Sequence, residues 1–197
     1  MKRFSALLGL GFLFGGILAA AIGGPKVQNK SDAQQVFEPG SGPGTGQKFL
    51  ARMEGQWTVE KTIFPRNPEA KPSRTPGSCT QKMIMEGRFL QSDFTFQSGE
   101  KTTTGTGVIG FEAASGIFTS TWFDSRQTKM SIRRSKTVFD GEKIILYGVE
   151  WPEAKETRKS KTISAFGKDG KTIRHQQFSL APDGSERLVM QMDLIRK

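Results

Sequence analysis

The chain has 197 residues, 35% of them hydrophobic and 24% charged, which suits one globular domain able to bury about two-thirds of the surface of its unfolded chain. Its one cysteine, Cys79, excludes an internal disulfide, and its one histidine, His175, excludes histidine-rich metal sites and two-histidine acid–base schemes. A formal charge of +10 points to an anionic envelope surface as a partner, whereas nucleic acid is not expected without an interleaved aromatic platform or a known binding module.

Met1-Lys2-Arg3 is followed by an apolar run from Phe4 to Ile22, interrupted only by Ser5 and glycines, and then by Gly23-Gly24-Pro25. A basic start, an apolar stretch and small residues make residues 1–24 a secretory signal. Ala19-Ala20-Ala21 offers cleavage after Ala21, with Gly24 as the other choice. A run of this length also suits an uncleaved anchor over residues 4–22. Either way Lys2 and Arg3 stay cytoplasmic, and the domain is expected to be exported, periplasmic or extracellular. Cleavage removes two charges from the +10 and leaves the chain strongly basic.

Residues 25–46 are polar and end in Pro, Gly and Ser, a composition unable to bury enough apolar surface to fold, and they are expected to form a flexible linker. The domain proper is placed at 47–197. Phe49, Leu50 and Met53 stand at helical spacing within 47–54, a short helix that Gly55 terminates and that is expected to cap one end of a barrel.

From Gly55 onward ten alternating segments follow: 56–64, 78–86, 88–97, 104–112, 116–123, 127–139, 142–149, 157–166, 171–179 and 187–196. Asp140-Gly141, Asp169-Gly170 and Asp183-Gly184 suit tight hairpins, since Gly accepts positive φ and Asp tolerates it. Consecutive strands should therefore pair antiparallel. In the last strand Leu188, Met190, Met192 and Leu194 share one face, expected to be buried. Ten hairpin-linked strands are best closed into an all-β, antiparallel up-and-down β-barrel, because closure removes unpaired edges. A two-sheet sandwich is the alternative. An outer-membrane barrel is disfavoured by short strands that lack an outward apolar band.

Phe49-Leu50 before Gly55-Gln56-Trp57 resembles the helix-then-Gly-x-Trp opening of lipocalin-like and fatty-acid-binding-like barrels. With Gly87-Arg88-Phe89-Leu90, Gly107 to Phe111 and Ser120-Thr121-Trp122-Phe123-Asp124, the domain resembles an uncharacterised bacterial family, domain of unknown function fifteen seventy-nine, over residues 47–197. The resemblance implies a lipocalin-like barrel with no established activity or catalytic residues.

Candidate chemistry is sparse. A Cys79–His175 thiolate pair and haem ligation by His175 are chemically open, but no motif supports either, and a hydrogen-bonded strand histidine and a buried strand cysteine are expected. There is no G-x-S-x-G elbow. Gly105-Thr106-Gly107 lacks the loop-to-helix setting of a phosphate site, and Asp124 reads as a turn carboxylate at a strand end. Arg133-Arg134 with Lys136, and Arg158-Lys159 with Lys161, read as solvated strand faces.

Alternation places Trp57, Phe94, Phe96, Trp122, Met130, Ile132, Met190 and Met192 inward. It also puts Arg88 in register with Leu90, Ser92, Phe94 and Phe96, where an inward cation needs a carboxylate or an anionic ligand head. The expected function is a non-enzymatic exported barrel binding a small apolar or amphipathic molecule through Trp57, Arg88, Phe94, Trp122, Met190 and His175, with no cofactor. The alternatives are an enzyme using polar residues inside the same barrel and a solid-cored basic module for envelope surfaces. A cavity of several hundred Å3 favours binding, a convergent polar cluster with perturbed pKa values favours catalysis, and a filled interior favours the surface role.

Overall fold

The structure, a computed structural model, describes residues 43–149 and 159–197. The expected signal and most of the expected linker fall outside the described residues. Among the described residues, one short helix, α1 (Thr45–Ala51), precedes ten strands: β1 (Gly55–Ile63), β2 (Ser73–Ile84), β3 (Phe89–Ser98), β4 (Lys101–Glu112), β5 (Ile117–Asp124), β6 (Ser131–Arg134), β7 (Lys143–Gly148), β8 (Ser160–Phe166), β9 (Thr172–Leu180) and β10 (Glu186–Arg196). Each strand pairs antiparallel with its neighbours in sequence, and β1 also pairs with β10, so the sheet closes into a barrel. This is the all-β barrel with one capping helix expected from the sequence, and the sandwich is excluded.

The turns follow from their residues. Gly141, Gly170 and Gly184 take φ of 89°, 66° and 85°. The Asp before each accepts a backbone N–H two residues on: Glu142 at 2.8 Å, Lys171 at 2.9 Å and Ser185 at 2.9 Å. Those bonds hold the three carboxyls below their usual pKa.

Helix α1 begins two residues earlier than its hydrophobic spacing suggests and stops at Ala51. Gln47 accounts for the early start. Its Oε1 accepts the Gly44 N–H at 2.8 Å, while its Nε2 donates to the Phe111 carbonyl on β4 at 2.8 Å. Phe49 packs edge-on against Phe139 and Phe166, with centroids 5.0 and 5.4 Å apart, and Phe118 meets Phe111 and Phe139 at 4.9 and 5.0 Å. The Trp57 indole, fully buried, donates to the Met53 carbonyl at 3.0 Å. An aromatic plug under α1 therefore fills one end of the barrel.

Two expectations about register do not hold. The segment 127–139 contributes only the four residues of β6, in which Ser131 stands opposite Trp122 and Arg133 opposite Ser120. The inward face is thus Ser131 and Arg133; Ile132 has the opposite parity, and Met130 lies before the strand, 51% exposed. In β10 the pairing shifts between Leu188 and Met190: Met190 stands opposite Gln177, but Leu188 stands opposite Phe178. That bulge breaks the alternation, so Leu188 does not share the inward face of Met190, Met192 and Leu194.

Candidate functional site

Beyond the plug the inward positions become small. Ser92, Gly105, Gly107, Ser120, Ser131, Thr162 and Ser164 replace the large side chains of the other end, and a cavity of about 330 Å3 remains. Alternation explains the residue types: each lies at an inward position of its strand, and a side chain of this size does not reach across a ten-stranded barrel.

The apolar wall is built by Phe94, Phe96, Trp122, Ile144, Leu146 and Met190. Phe94 stacks on Phe96 with centroids 5.9 Å apart and meets Trp122 edge-on at 5.6 Å. Ile63, Arg126 and Gln127 also line the cavity, and all three are exposed, so the cavity reaches solvent at the end away from α1.

The polar wall has two parts. At the mouth, the lining residue Arg126 bonds twice to Asp124, which ends β5 next to the lining with its carboxylate almost wholly buried: Nε donates to Oδ1 at 3.0 Å and Nη2 to Oδ2 at 2.8 Å. Trp122 Nε1 and the Arg126 backbone N–H also donate to it, each at 3.0 Å. Chiefly the hydrogen bonds from the Arg126 side chain hold this carboxyl well below the usual carboxylate range. Lys61 lies beside it with Nζ 3.8 Å from the Phe96 ring centroid, its pKa lowered by burial and by the Arg126 charge.

Farther in, His175 Nδ1 and Ser164 Oγ are 2.8 Å apart. Burial, aided by the charge of Arg133, lowers the imidazole pKa to about 4. His175 is therefore neutral at pH 7 and a weak general base, which suits hydrogen bonding better than proton abstraction. Gln81 Nε2 donates to Ser92 Oγ at 3.0 Å. Among the described residues, Gln81 Oε1 and Arg133 Nε are buried without a hydrogen-bond partner, and burial lowers the Arg133 pKa. Lys61, Arg126 and Arg133 are the cations on the lining, and no Asp or Glu among the described residues lines it with them.

Phe94, Trp122 and Met190 meet on this wall as alternation suggests, and His175 joins them there, but the other two candidates lie elsewhere. Trp57 belongs to the packed core. Arg88 precedes β3 in a turn and donates to the Met85 carbonyl at 3.3 Å and to Glu86 Oε2 at 3.1 Å, outside the cavity. Its register with Leu90 fails because the strand starts at Phe89, one residue too late to carry it. The interior cation is Arg133 instead, whose sequence surroundings of Met130, Ile132 and Arg134 suggest the reverse face. Arg134, by contrast, is exposed as expected and pairs with Glu112 at 3.3 Å.

Cys79 is a buried core residue whose thiol is pushed up to about 12 by burial and secondarily by Asp93. It lies on β2, separated from His175 on β9 by β1 and β10. Among the described residues no group of three or more His, Cys, Asp or Glu side chains is placed to hold a metal ion.

A family model described as protein of unknown function (DUF1579) matches residues 42–196. No curated protein is a significant match. Among solved structures, the crystal structure of Rv2717c from M. tuberculosis is similar with a TM-score of 0.56 at 14% identity, covering 79% of this chain and 99% of that one. The S-type phycobiliprotein lyase CPES from Guillardia theta is similar with a TM-score of 0.52 at 8% identity, covering 77% of this chain and 92% of that one. At such identities the likeness extends to the fold alone.

Proposed function

The chain belongs to the family of proteins of unknown function DUF1579, and we propose that its barrel is a non-enzymatic binding module for one small apolar or amphipathic molecule. The observation that carries this reading is the cavity of about 330 Å3, whose walls are mostly apolar with a few fixed polar groups. Ligand sites are typically built that way, and this volume lies near the lower end of their usual range of roughly 300–1,000 Å3. Phe94, Trp122 and Met190 supply the apolar contact, and His175, neutral and bonded to Ser164, a polar one.

Two competing readings are less well supported. A solid-cored surface module does not leave a cavity, and a hydrolytic Ser164–His175 pair lacks a strong base, since the imidazole pKa is near 4. Export under the residue 1–24 signal completes the proposal, with the basic outer surface facing an anionic envelope.

The direct test is native mass spectrometry of the protein purified from its own host. A stoichiometric adduct released by organic solvent is the expected result. An adduct-free protein that also fails to bind a fluorescent fatty-acid analogue would overturn the binding reading.

A further inference from the structure

On the reading that the barrel holds one small ligand, we propose that this ligand is an amphipathic monoanion whose oxyanion head, a carboxylate in the simplest case, is bound by the Arg133 guanidinium inside the barrel. The charges on the cavity wall carry the inference. Of its three cations, Arg126 is already engaged through both Nε and Nη2 by Asp124. Lys61 lies on the Phe96 ring beside that pair.

Arg133 differs from both. Its Nε is shut away from solvent without a hydrogen-bond partner, and among the described residues no carboxylate is within ion-pair distance of it. A guanidinium whose Nε is buried without a partner is unfavourable, and an anion in the cavity compensates it through charge-assisted bonds in a planar, two-pronged geometry that matches a carboxylate. Ser120 stands opposite Arg133 in the β5–β6 register and brings a hydroxyl donor to the same inward face.

Two further features define the anion. His175, the other titratable group deep in the cavity, is held neutral by burial and by the charge of Arg133, so the inner wall offers one positive charge and not two. The remaining wall, with Phe94, Trp122, Leu146 and Met190, is apolar and larger than a carboxylate needs, which calls for a hydrocarbon portion. A cavity of about 330 Å3 keeps that portion short.

Isothermal titration of the full chain with octanoate, octanol, octylamine and acetate tests this assignment. The expected order is octanoate tightest, by at least about tenfold over the other three, and Arg133→Met removes that advantage while leaving octanol binding in place. Arg133→Lys retains part of it, because charge survives but the fork is lost. Octanol binding as tightly as octanoate to the wild type, or octanoate binding unaffected in Arg133→Met, overturns the anion assignment and leaves the carrier reading standing. Acetate binding as tightly as octanoate overturns the amphipathic part. Failure of all four to bind overturns both. Should Arg133→Met not fold, the wild-type order of octanoate and octanol decides the matter alone.

Discussion

The Trp122 indole lies so close over Gly105 that a Cβ at position 105 would stand 2.4 Å from its Cζ2 and 2.6 Å from its Cη2. Glycine on β4 is thus what allows the indole on β5 to lie flat along the cavity wall and donate to Asp124. Gly105→Ala is expected to displace the ring and break that bond. A destabilisation of about 1–3 kcal/mol, typical of overpacking, should appear in denaturant titration, with weaker ligand binding. An unchanged midpoint and affinity would show that the ring has room to move.

Met192 and Asp193 are adjacent on β10 and face opposite ways. Met192 is in the core, whereas Asp193 accepts Arg174 Nε at 2.8 Å on the outer face. Met192→Asp buries a carboxylate and removes an apolar group worth roughly 1.5–3 kcal/mol, so it should unfold the domain or nearly so. Asp193→Asn disturbs one surface pair and should lower stability by less than about 1 kcal/mol. Circular dichroism melts of the two variants check the register, and equal tolerance would contradict it.

The pKa of His175 makes stability depend on pH. Its value near 4 in the folded chain lies below the ordinary 6.5, so between those values the unfolded chain binds the extra proton. Stability is full above about pH 6.5 and falls as the pH drops toward 4. The loss from about pH 7 to about pH 5 should be on the order of 2 kcal/mol, ahead of the lower window in which Asp124 titrates. His175→Gln should flatten the curve over this interval. Parallel curves for the two proteins would show that the imidazole is not held neutral.

Arg88 and Glu86 form an exposed pair at 3.1 Å away from the cavity. Arg88→Met is therefore expected to change stability by no more than about 0.5 kcal/mol and octanoate affinity by less than about twofold. A tenfold loss of affinity would bring this turn back into the site.

The signal proposal has its own check. N-terminal sequencing of protein recovered from outside the cytoplasm should begin at Ile22, the residue after Ala19-Ala20-Ala21. Intact Met1 in the membrane fraction would replace cleavage with anchoring.

All ten strands, the Asp–Gly hairpins and the capping helix were legible in the residues, because strand alternation and turn chemistry are local properties that survive averaging over tertiary context. Inward placement was legible where apolar alternation is strong, as at Phe94 and Phe96 or Met192 and Leu194. It failed where the barrel is lined by polar or small residues. Around Arg133 the apolar neighbours Met130 and Ile132 suggest one face, and pairing with Ser120 selects the other. Parity in a strand is a single choice between two faces, and a four-residue strand such as β6 carries too few residues for its own pattern to make that choice. The bulge before Met190 likewise depends on how β10 meets β9. Closure of the sheet decided the rest: which small inward residues coincide to leave a cavity, and which cation that cavity isolates, depend on strands distant in sequence meeting across the barrel.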